Sequence, residues 1–101
     1  MENKIIIKKG EVGAEYLEAL KKVLEVRKQR FKIYGNSFLD DSIGDLIVYM
    51  RGKLHRFDVM EKLGTQNNKY EQHVDQILDS INYGLFILAK LEAEHGKDRN
   101  L

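Results

Sequence analysis

Apolar residues recur at three- and four-residue spacing along three stretches of this chain, and that spacing predicts three long amphipathic helices. The first runs from about Ala14 to Ile33, with Leu17, Leu20, Leu24 and Phe31 on one stripe and Val23 beside it. It closes at Tyr34-Gly35-Asn36-Ser37, where glycine can take the left-handed conformation that ends a helix. Asp40, Asp41 and Ser42 are cap residues for a second helix over about Ile43 to Leu63, whose stripe is Ile43, Leu46, Ile47, Met50, Leu54 and Phe57. Gly64 stops it, and Thr65-Gln66-Asn67-Asn68 is a polar connection. The third helix, from about Tyr70 to His95, has the strongest pattern: Val74, Ile77, Leu78, Ile81, Leu85, Leu88 and Leu91, closed by Gly96. Ahead of these, residues 4–9 are rich in isoleucine and form either a short strand or an arm, with Gly10 and Gly13 bracketing a turn. The expectation is therefore an all-α chain: an N-terminal arm (1–13), a helical domain (14–96) and a flexible tail (97–101).

Helices of ~20 residues are ~30 Å long, and three such rods leave one side of their layer poorly covered. Tyr83 and Phe86 lie off the main stripe of the third helix and offer a second apolar contact. Together these features predict a homo-oligomer in which helices from several chains complete a bundle.

Composition narrows the function classes. The absence of proline among 101 residues suits long helices, and 43% hydrophobic with 33% charged residues describes a globular domain. Seventeen basic and sixteen acidic residues leave a net charge of +1, which provides no concentrated basic face for duplex nucleic acid. A small anion held by two or three local charges stays open. With no cysteine there is neither a disulfide nor a thiolate metal site. No apolar run approaches the ~20 residues that span a bilayer, and the start has only three consecutive apolar residues, too few for a signal peptide. A cytoplasmic setting away from membranes is the expectation.

Candidate chemistry falls on two helix faces. On the third helix, at ~100° per residue, Asp75, Asp79, Asn82 and Phe86 share a band beside the apolar stripe. Two carboxylates and an amide there can coordinate Mg²⁺ through oxygens or hydrogen-bond a base or ribose. They are equally compatible with a solvated helix face. The second helix carries Asp45, Tyr49, Lys53 and Arg56, and the i, i+3 spacing of Lys53 and Arg56 lets both cations reach one phosphate. The plain alternative is a pair of surface cations, or ion pairs with Asp75 and Asp79 that fix helix register. If the two helices are antiparallel neighbours, their bands become opposite walls of one cleft. In the connector, Tyr34 can stack on a base and Asn36 or Ser37 can read polar edges, or the segment is simply a capping turn. His55, His73 and His95 lack metal-ligand spacing and read as structural or solvent-facing.

The order Lys32-x-Tyr34-Gly35-Asn36-Ser37, then Lys53-x-x-Arg56, then Asp75-x-x-x-Asp79-x-x-Asn82-Tyr83 resembles the small phage and bacterial "nucleotide modification associated" domains. These are themselves similar to the all-α nucleoside triphosphate pyrophosphatases typified by MazG. The resemblance covers about residues 14–92. It implies one nucleotide site built from Tyr34, Asn36, Lys53, Arg56, Asp79 and Asn82, a helical oligomer, and a bacteriophage or bacterial origin. One departure bears on chemistry. MazG-like enzymes hold Mg²⁺ with Glu-x-x-Glu on one helix and Glu-x-x-Asp on the next, whereas this chain has Lys53 and Arg56 where acids are wanted. Its one Glu-x-x-Glu, Glu15 to Glu18, is on the first helix. Two carboxylates facing two cations suit binding of a phosphate-bearing ligand, with no cofactor required, better than metal-dependent hydrolysis. On that reading Lys53 and Arg56 hold phosphate, Asp79 and Asn82 read base or ribose, and Tyr34 stacks. A phage protein of this kind would sequester a nucleotide signal used in host defence. The alternatives are a Mg²⁺-dependent pyrophosphohydrolase with Asp75 and Asp79 as metal ligands, and a purely structural helical assembly.

Overall fold

A computed structural model describes residues 4–64 and 69–99, with side chains described for 4–64 and 72–96. Among these residues the protein is all helical, with no strand. A one-turn helix α1 (Lys9–Val12) precedes three long ones, α2 (Ala14–Tyr34), α3 (Ile43–Leu63) and α4 (Lys69–Arg99), and a 3-10 turn spans Ser37–Asp40. Residues 4–8 belong to neither helix nor strand, so the N-terminal segment is an arm running into α1. The connection expected at 65–68 and the last two residues of the tail lie outside the described residues.

The chain divides into two compact units, Met1–Gly35 and Asn36–Leu101. In the first, α2 closes as its sequence requires. Gly35 takes φ 55°, a left-handed value that favours glycine. Its N–H donates to the Phe31 carbonyl at 2.9 Å, and its own carbonyl accepts from the Arg27 guanidinium at 3.0 Å. The same guanidinium stands 5.1 Å from the centre of the Phe31 ring, so one basic side chain seals the last turn of the helix.

In the second unit, Ser42 caps α3 by accepting the Asp45 N–H on its hydroxyl at 3.0 Å. Gly64 ends α3 with φ 81°. Contacts between α3 and α4 run antiparallel: Met50 meets Gly84, Tyr49 meets Tyr83, Lys53 meets Asp79 and Glu61 meets His73. As one partner advances along α3, the other recedes along α4. Gly84 is part of the reason. A Cβ built there would sit 3.5 Å from the Met50 methyl, so Met50 packs directly against the α4 backbone at Gly84. Leu46 is fully buried on the same face of α3. Phe38 of the 3-10 turn stacks on Phe86, centres 4.4 Å apart, and the Lys90 ammonium ties the turn down by donating to the carbonyls of Leu39 (3.0 Å) and Asp41 (2.6 Å).

One expectation needs correcting. Gly96 does not close the last helix, which continues to Arg99; a glycine inside a helix costs only ~1 kcal/mol relative to alanine and ends one only where the chain turns left-handed. The apolar stripe of α4 is unevenly covered: Leu78 is buried, whereas Ile81, Leu85 and Leu88 remain exposed, as do Ile47 and Leu54 on α3. Two polar pairs, Lys53–Asp79 and Glu61–His73, span the two helices and help fix their register.

Candidate ligand-binding site

Tyr49, Lys53 and Arg56 follow one another at i, i+4 and i+7, so α3 presents all three on one face. Across the seam, α4 adds Tyr83, whose ring centre lies 5.7 Å from that of Tyr49 at an interplanar angle of 49°. Phe86 supports the Tyr83 ring edge-on at 6.1 Å, and is itself backed by Phe38. Tyr49, Lys53, Arg56 and Tyr83, with Val48 and Gly52, line a shallow, open depression of about 220 Å³. Its rim is aromatic on one side and cationic on the other.

The two cations differ. Lys53 is three-quarters buried and its ammonium lies 3.0 Å from a carboxylate oxygen of Asp79, itself 15% exposed. Arg56 is exposed and forms no ion pair among the described residues. It is the group most available to an incoming anion, and its planar fork suits a phosphate. The floor is opened by Gly52, where an added Cβ would meet nothing within 4 Å. Among the described residues, packing does not require a glycine in the middle of α3.

The remaining expected site residues are distributed as follows. Asp79 faces α3 through Lys53, which realises the ion-pair alternative raised by the spacing. Asn82 is buried, with 4% of its surface exposed. Asp75 is exposed on α4. Asn36 opens the 3-10 turn in the second unit, whereas Tyr34, 63% exposed, is the last residue of α2 in the first. Phe86 is engaged by Phe38 and Tyr83 and so belongs to the packing behind the site. Among the described residues, no group of three or more His, Asp or Glu side chains is placed to hold a metal ion.

A second polar cluster lies toward the end of the hairpin at Gly64. His73 is buried, stacks on Phe57 at 4.2 Å, and its Nε2 lies 2.8 Å from a Glu61 carboxylate oxygen. This is a structural histidine, which clamps the end of α3 to the start of α4.

Sequence reasoning named Lys53 and Arg56 and placed Tyr49 in their band, but it gave no ligand role to Tyr83 or Gly52. The available signals were the unexplained glycine one residue before Lys53 and a tyrosine lying off the apolar stripe.

Neither a protein-family model, a curated protein nor a solved structure matches this chain. The site is therefore read from its own chemistry.

Proposed function

We propose that this protein binds a small nucleotide through its phosphate at the depression between α3 and α4, and holds it without efficient hydrolysis. The observation that carries the reading is the convergence of Lys53, Arg56 and two tyrosine rings on one concave surface. Two cations one turn apart suit a phosphate, and tyrosine rings give a base or ribose an apolar surface with polar tips. Gly52 adds support: an added Cβ there would meet nothing within 4 Å among the described residues, so the bare backbone is open to a ligand that approaches it closely. At about 220 Å³ the depression is smaller than a pocket that encloses a drug-sized molecule. It takes a phosphate and part of one ring, leaving the rest of the ligand outside.

Binding is favoured over Mg²⁺-dependent hydrolysis by the state of Asp79. A carboxylate already neutralised by an ammonium at 3.0 Å is a poor ligand for a divalent cation. The pyrophosphohydrolase alternative needs Asp79 to release Lys53 and join Asp75. In the setting that the phage-domain resemblance implies, the protein is a bacteriophage factor in the host cytoplasm that sequesters a defence nucleotide and leaves it intact.

The reading includes self-association. At ~100° per residue, Ile47 and Leu54 on α3, and Ile81, Leu85 and Leu88 on α4, lie roughly opposite the depression on their helices. All five are 36–50% exposed. Two helices with an apolar far side form half of a bundle, and a second copy of the same face completes it.

The test is a thermal-shift screen of nucleoside mono- and triphosphates and cyclic oligonucleotides, with and without Mg²⁺, with each mixture analysed afterwards for product. A ligand at ~100 times its dissociation constant adds ~2.7 kcal/mol, which raises the melting temperature of a domain this size by about 10 °C or more. We expect a shift with the ligand recovered unchanged. Mg²⁺-dependent product would establish the hydrolytic alternative, and no shift across the panel would support a structural role.

A further inference from the structure

Lys53 is in two places at once in chemical terms: its side chain lines the depression, and its ammonium is committed to Asp79 at 3.0 Å. Asp79 is 15% exposed and is not among the residues lining the depression, so it reaches the site through Lys53. An ammonium has three protons and can serve two acceptors. Its charge, however, is largely cancelled by the carboxylate it already holds. An anion arriving at Lys53 therefore meets the field of a nearby carboxylate as well as that of the cation. Arg56 lacks such a partner among the described residues.

We propose that Lys53 is a shared cation and Asp79 a built-in competitor. Asp79 holds the ammonium until the ligand's phosphate draws it away, and this exchange sets the affinity and makes release easy. The inference rests on the nucleotide-binding reading and deepens it. It gives Asp79 the opposite role to the one expected from the sequence. A carboxylate that reads a base or ribose strengthens binding, whereas a carboxylate that occupies the phosphate's cation weakens it. Asp79 is thus a positioning residue acting through Lys53.

The experiment is a calorimetric titration of adenosine monophosphate into the full-length wild type, Asp79→Asn, Lys53→Met and the double variant. Asparagine can still accept a hydrogen bond from Lys53, so the side chain stays in place while the opposing charge is removed. Asp79→Asn is expected to bind on the order of tenfold more tightly than wild type, from removal of the negative charge that opposes the phosphate at Lys53. Lys53→Met is expected to bind on the order of tenfold more weakly. In the Lys53→Met background the Asp79 substitution should have little effect, because its action passes through the missing ammonium. Asp58→Asn, the same charge change at an exposed carboxylate paired with Lys62, is the control and should leave affinity within about twofold.

Weaker or unchanged binding by Asp79→Asn, with wild type binding normally, overturns the inference and leaves the nucleotide reading standing. Absence of binding by wild type and Asp79→Asn alike overturns the inference for this nucleotide, and the nucleotide reading itself falls if the whole panel is also silent. Should Asp79→Asn not fold, the wild type decides: the Asp79 carboxyl carbon resonance should move as ligand saturates the site, and a resonance unmoved at saturation overturns the exchange.

Discussion

Arg56→Ala is expected to weaken nucleotide binding roughly 10- to 100-fold while leaving helix content and melting temperature almost unchanged. The size follows from the loss of a charge-assisted, two-pronged contact to phosphate, worth ~1.5–3 kcal/mol. The specificity follows from position. Arg56 is exposed, has no ion-pair partner among the described residues and lies at the rim of the depression. Substitutions of that kind usually alter stability by no more than ~0.5 kcal/mol. Arg56→Lys should recover part of the loss, since it keeps the charge but not the planar fork. Titration of the variants against the same nucleotide gives the answer, and an Arg56→Ala protein with wild-type affinity would remove the phosphate role from this residue.

Replacing both Leu85 and Leu88 with glutamate should convert an oligomer into monomers. Both leucines are already exposed, 44% and 50%, so the individual chain tolerates polar groups there and should keep its helices. In a twofold assembly each substitution occurs on both sides of the interface, placing four carboxylates in a patch that had been apolar. Burying a leucine side chain completely is worth ~1.5–3 kcal/mol; covering the exposed remainder of several such residues is enough to hold two small domains together, and buried carboxylates reverse the sign. Sedimentation equilibrium of wild type and variant reads this directly. A monomeric wild type, or a variant that assembles like wild type, would mean that this face is not the interface.

The parts of the fold set by local rules were legible in the sequence. The bounds of α3, Ile43 to Leu63, follow from Ser42 as a cap and Gly64 as a stop, and Gly35 ends α2 with the positive φ its identity allows. The seam between α3 and α4 was harder. Hydrophobic periodicity locates the widest apolar stripe but not which of its members are covered: on α4 Leu78 is buried while Ile81, Leu85 and Leu88 are exposed. The seam also carries Gly84 against Met50, two aromatic contacts, the Lys53–Asp79 ion pair and the Glu61–His73 contact. Periodicity cannot rank these contacts, because the worth of Gly84 depends on Met50 lying across from it and the worth of Asp79 on Lys53. The same blindness affects the site. Lys53 and Arg56 look equivalent as a spaced pair, and only the fold separates an exposed arginine from a lysine held by a carboxylate. Asn82, expected to read a ligand, has 4% of its surface exposed; a projection angle does not report burial.

The most direct test of the central claim is a two-dimensional ¹⁵N–¹H NMR titration of the wild-type protein with the nucleotide that stabilises it most. The account predicts saturable perturbations concentrated at Val48, Tyr49, Gly52, Lys53, Arg56 and Tyr83, with Asp79 following. Saturable perturbations confined to another surface, or a spectrum unchanged at millimolar ligand, would contradict it.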